Sequence, residues 1–100
     1  MPKLYEYLGI IIFFYANEHE PIHVHARKGG HESKAEIIVI DGKVEEIIIR
    51  NVGGKKPLGG KDLKHLKTFL SHYADAIVIK WVDYFVYHKE LTFEKITKKL

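Results

Sequence analysis

One hundred residues, 46% hydrophobic and 29% charged, with one composition throughout, describe a single domain over residues 1–100 and exclude multidomain machinery. The lack of cysteine excludes disulfide scaffolds, iron–sulfur clusters, thiolate zinc sites and cysteine nucleophiles, so any metal must be held by His, Asp or Glu. The net charge of +3 is uneven: residues 1–50 carry six Lys/Arg against eight Asp/Glu, and residues 51–100 carry ten against five.

In chain order, residues 9–15 are Gly9 followed by a run of Ile, Phe and Tyr with both faces apolar, as expected of a strand buried on two sides. The uncharged stretch 8–16 is about half of what spans a bilayer and follows no basic leader, so a cytoplasmic chain with no membrane partner is expected. Residues 17–21 break the strand at Pro21. From Ile22 the chain alternates with period two, Ile22, Val24 and Ala26 on one face and His23, His25 and Arg27 on the other. Gly29-Gly30 and Asp41-Gly42 are hairpin signals of the type I′ kind, giving three antiparallel strands. A two-residue turn at Gly29-Gly30 sets Lys28 opposite His31, Arg27 opposite Glu32, His25 opposite Lys34 and His23 opposite Glu36. Beyond Glu36 the same counting puts Ile38, Ile40, Ile47 and Ile49 on the polar face, which calls for a helix to cover that end.

Residues 51–60, with two Gly-Gly pairs around Lys-Lys-Pro-Leu, form a loop. Leu63, Leu66, Phe69, Leu70, Tyr73 and Ile77 recur at helical spacing from a start near Lys61 or Asp62. Residues 76–88 are assigned to a second, largely buried helix, against the strand propensity of Ile77, Val78 and Ile79. Residues 91–100 fit a short edge strand, a last helical turn or a frayed tail. Strand-rich 1–50, loop 51–60, helical 61–90 and a short end segment together predict an α+β fold: an antiparallel sheet of about four strands packed on two helices. The isoleucine-rich 37–49 stretch also makes a homodimer an expectation.

Four of the seven histidines, His19, His23, His25 and His31, fall within thirteen positions. His23-x-His25 on one strand face, with His19 in the preceding turn, is a spacing that suits a divalent metal such as zinc. Glu36 is the matching carboxylate, as fourth ligand or as partner to an imidazole, with Glu18 and Glu20 as alternatives. Without metal, the same histidines are candidates for general acid and base, with Arg27, Lys28 and Lys34 as RNA or phosphate contacts. The plain alternative is that the histidines are surface strand residues paired with Glu32 and Glu36. The Gly54 to Lys61 segment fails as a Walker loop, because Lys55 and Asp62 stand where Gly and Ser/Thr are needed. Trp81, Tyr84, Phe85 and Tyr87 are weighed as a base-stacking platform and assigned to the core.

The opening Met-Pro-Lys, Gly9-Ile10 and the segment from Tyr15 through His19, Pro21, His23 and His25 resemble the bacterial domain-of-unknown-function family 4160, as does the later Trp81. Ile22 replaces a common proline, and the 53–60 connection is longer than in the short family form. The resemblance implies a strand, a His-rich segment, a hairpin and helices. It implies no established activity, but a toxin-antitoxin-like pairing with a small protein from an adjacent gene. It carries over to His19, Pro21, His23 and His25. The leading expectation is a toxin-like component whose histidine surface acts on RNA; a small metalloprotein and a purely structural partner-binding domain are the alternatives.

Overall fold

A computed structural model describes residues 2–16 and 21–100 of the chain. Among the described residues six strands and one helix follow in order: β1 (Lys3–Tyr7), β2 (Ile10–Phe13), β3 (His23–Lys28), β4 (His31–Ile40), β5 (Lys43–Asn51), α1 (Gly60–Phe85) and β6 (Glu94–Ile96). They form one sheet in the order β5-β4-β3-β2-β1-β6, antiparallel except where β6 runs parallel to β1. The fold is α+β as expected, with six strands in place of about four and one helix in place of two.

The single helix has a plain cause. From Lys61 to Phe85 no Gly or Pro interrupts the chain, and the stripe Leu66, Phe69, Leu70, Ala74, Ile77 and Trp81 stays buried throughout. Packing of that stripe overrides the strand propensity of Ile77, Val78 and Ile79. The core lies between α1 and one face of the sheet: Tyr5 meets Phe69 and Tyr73 edge-on at 5.3 and 5.1 Å, while Val24, Ala26, Ala35 and Ile37 supply the sheet side. Trp81 and Phe85 join it and Tyr84 packs on Phe14, whereas Tyr87 is exposed.

The β3–β4 register is the one counted from the sequence, His23 opposite Glu36 through Lys28 opposite His31. The turn differs in type. Gly29 has φ +61° and Gly30 is not positive, the pattern of a II′ turn, whereas Asp41 and Gly42, at +52° and +78°, make the type I′ turn expected there. The β4–β5 pairing contains an irregularity at Ile38/Val39, so Ile38 faces Glu46 and Glu45 is the extra residue. That one-residue shift moves Ile47 and Ile49 opposite Ile37 and Ala35, onto the helix side, and corrects the face assigned to them by simple counting. Ile38 stays on the other face, which α1 does not cover, and Ile40 is exposed. The chain's end is the short edge strand among the three alternatives, with the Leu100 amide donating to the Tyr7 hydroxyl at 3.0 Å.

Candidate functional site

Alternation along β3 sends Val24 and Ala26 into the core and His23, His25 and Arg27 to the sheet face turned away from α1. On that open face a second, smaller cluster forms. Phe13 is fully buried yet stands outside the helix-side core, stacking on His25 at 5.5 Å between ring centres. Tyr15 sets its ring edge against His25 at 4.4 Å, and the His23 and His25 rings lie 5.2 Å apart.

His25 is only 2% exposed and Glu32 only 4%, and they are joined: His25 Nδ1 donates to Glu32 Oε2 at 3.2 Å. The Tyr15 hydroxyl donates to the same carboxylate, 3.1 Å from Oε2 and 3.3 Å from Oε1. A carboxylate can only accept, so the proton is on Nδ1 of His25 and the ring is locked in orientation. His23 is held in the same sense, its Nδ1 2.6 Å from the Pro21 carbonyl oxygen. Two neighbouring imidazoles are thus anchored through Nδ1, which leaves the lone pair of each neutral ring on Nε2.

The other residues named from the sequence divide by strand face. Lys34 sits on the open face, opposite His25. Glu36 is opposite His23, as the register required, but its carboxylate accepts from Arg50 Nε at 2.7 Å. The carboxylate that reaches an imidazole is Glu32. Lys28 belongs to the helix side, where its ammonium pairs with Asp62 at 3.0 Å and its stem passes over Gly9. Gly9 has φ +82°, and a Cβ there would stand 3.2 Å from Lys28 Cε. His19, Glu18 and Glu20 lie outside the described residues. Among the described residues no group of three His, Asp or Glu side chains gathers closely enough to enclose an ion.

Arg27 lies with its guanidinium 5.2 Å from the Phe13 ring centre, a cation–π contact, and forms no ion pair among the described residues. Beside it, at the turn end of the open face, a cavity of about 150 Å³ is walled by Tyr15, Arg27, Glu32, His31 and Lys55. Lys55 arrives there because the glycine-rich loop docks on β4, with Glu32 N donating to Lys56 O at 2.8 Å and His31 Nδ1 donating to Pro57 O at 3.1 Å. A larger cleft of about 620 Å³ lies elsewhere, between Val39, Val44 and Ile47 and the helix residues Ala74, Val78 and Ile79. It holds none of the sheet-face histidines, so chemistry and not size locates the site.

The model of one protein family, Domain of unknown function (DUF4160), matches residues 9–82 of the chain, a span that includes the whole of β2 to β5 and most of α1. The chain belongs to the DUF4160 family. No curated protein and no solved structure matches it. The sequence signals that would have found the rest of this DUF4160 site are the parity of Ile11 and Phe13 along β2, continued to Tyr15 just beyond it, and the diagonal reach between neighbouring strands. Glu32 is two residues from the partner of His25, on the same face.

Proposed function

We propose that the open sheet face of this DUF4160 chain is a histidine-centred site that takes a divalent ion such as zinc through Nε2 of His23 and His25. The observation that supports it is the anchoring of both rings through Nδ1, on Pro21 O at 2.6 Å and on Glu32 at 3.2 Å, with ring centres 5.2 Å apart. Metal-bound histidines characteristically donate their other N–H to a carbonyl or carboxylate. A tetrahedral ion roughly 2.05 Å from each Nε2 sets two imidazole centres about 5 Å apart. The 5.2 Å between the two ring centres is of that size. His19 is the sequence's choice for a third ligand, with water to complete the set.

The test is a zinc titration of the pure protein followed by imidazole NMR signals and thermal midpoint. Joint saturable shifts of His23 and His25 near one ion per chain are expected, with stabilisation of about 2.7 kcal/mol at an ion concentration a hundredfold above Kd. Loss of saturable binding is expected in His23→Ala and in His25→Ala, and roughly 10–100-fold weaker binding in Glu32→Gln. No joint shift and no rise in midpoint would remove the reading.

A second reading has an observation of its own, the placement of Arg27 and Lys34 on the same face as the paired imidazoles. Here the histidines work without metal as acid and base on RNA, in a toxin-like component that acts in the cytoplasm with a small protein from an adjacent gene. The Glu32 carboxylate orients His25 for that role. Growth inhibition, RNA cleavage and RNA binding all unchanged in the His23→Ala, His25→Ala double variant would sink it.

A further inference from the structure

We infer that the small cavity beside the Glu32–His25 pair is a subsite for a phosphate group, which makes phosphate esters the substrate or ligand class of the open face. The inference rests on that face being where the chain acts; it adds what is bound next to the imidazoles.

Three observations converge. First, the cavity of about 150 Å³ has room for one tetrahedral oxyanion with its water, but none for a nucleobase and sugar inside it. Second, the charges facing it are unequal. Arg27 and Lys55 bring two cations that have no carboxylate partner among the described residues, whereas the one carboxylate, Glu32, is spent on Tyr15 and His25. A guanidinium half-buried against Phe13, with no ion pair among the described residues, is a fork suited to an oxyanion, since planar bidentate donation is what arginine offers phosphate. Third, the cavity is built by two separate pieces of chain. The II′ turn at Gly29-Gly30 leaves its rim without side-chain bulk, and nothing lies within 4 Å of a Cβ at either glycine. The glycine-rich loop brings in Lys55, and two hydrogen bonds from β4, at Glu32 and His31, fix that loop in place. Sequence alone does not join Lys55 to Arg27. A phosphate seated there neighbours the carboxylate that holds His25.

The experiment uses the full chain without added metal. Inorganic phosphate, a nucleoside monophosphate and a short oligoribonucleotide are titrated in separate arms, with the backbone amide NMR signals of Gly29, Gly30, His31 and Lys55 as readout. Saturable shifts at these amides are expected with inorganic phosphate, weakened about tenfold or more in Lys55→Ala and in Arg27→Gln, as loss of a charge-assisted contact implies. Lys55 is an exposed loop residue, so Lys55→Ala keeps the test valid if Arg27→Gln loses its fold. His23→Ala should leave phosphate binding intact. That separates the subsite from the metal reading, because a chain that binds phosphate but no zinc fails only the latter. Tighter binding of the oligoribonucleotide than of the mononucleotide assigns the phosphate to RNA, and equal binding assigns it to a small ester. Absence of saturable shifts with all three ligands, or shifts unchanged in both cavity variants, overturns the inference.

Discussion

Tyr5 shows how one buried side chain ties stability to pH. Its phenol is 2% exposed, and burial first, then the Glu94 carboxylate and Tyr73, push its pKa up from 10.0 to about 12. The folded chain holds this proton more tightly than the unfolded chain does. Its contribution is therefore complete below pH 10 and is lost as pH rises from 10 toward 12. Denaturant melts across that range should show the decline, and Tyr5→Phe should flatten it. At the same scale, the site was partly legible: period two placed His23, His25 and Arg27 on one face, and turn counting gave their cross-strand partners. Pairing of His25 with Glu32 was legible only as the plain alternative, and Tyr15 was not read as part of it, because straight-across pairing gives His25 to Lys34, whereas the hydrogen bonds run diagonally. Lys28 was grouped with the basic contacts although its parity is that of Val24 and Ala26, and it pairs with Asp62 across the helix side.

At the scale of elements, a local rule holds until a nonlocal one outweighs it. The helix pattern from Leu63 was readable, and so was the helical character of residues 76–88, where β-branched residues cost only tenths of a kcal/mol each and burial of Ile77 and Trp81 is worth more; that the two stretches are one helix was not. One helix with one buried stripe gives a sharp contrast between two positions. Phe69, fully buried against Tyr5, Tyr7 and Tyr73, should cost about 3–5 kcal/mol when changed to Ala, whereas Ile79→Ala, at 63% exposure, should stay within about 0.5 kcal/mol. Urea unfolding of the two variants checks it. The irregularity in β5 was hidden for a different reason: turn chemistry fixes the register next to the turn, and a single extra residue resets it without any Gly or Pro to announce the place.

For the whole molecule, α+β followed from strands first and helix last, but the sheet order did not. β6 lies parallel to β1, joining residues some ninety positions apart, and no short-range pattern encodes that. The consequence is that the end segment covers one edge of the sheet while β5 forms the other. Removing residues 91–100 takes away Ile96, 9% exposed, and the Leu100 bond to Tyr7, and uncovers the β1 edge. A lower thermal midpoint and concentration-dependent association are expected, read by melting and size-exclusion chromatography. No helix of the described residues is long and apolar enough to cross a membrane.

The position of β3, two strands in from β5 and three from β6, gives the histidines a further property. A strand hydrogen-bonded on both sides exchanges its amide protons with deuterium only through opening of the sheet. Any compound bound at His25 or Arg27 must then slow exchange along β2, β3 and β4 together by the factor its occupancy dictates. Small-molecule libraries can therefore be screened by mass, without a known reaction, by looking for the mixture in which this stretch of peptide stays light.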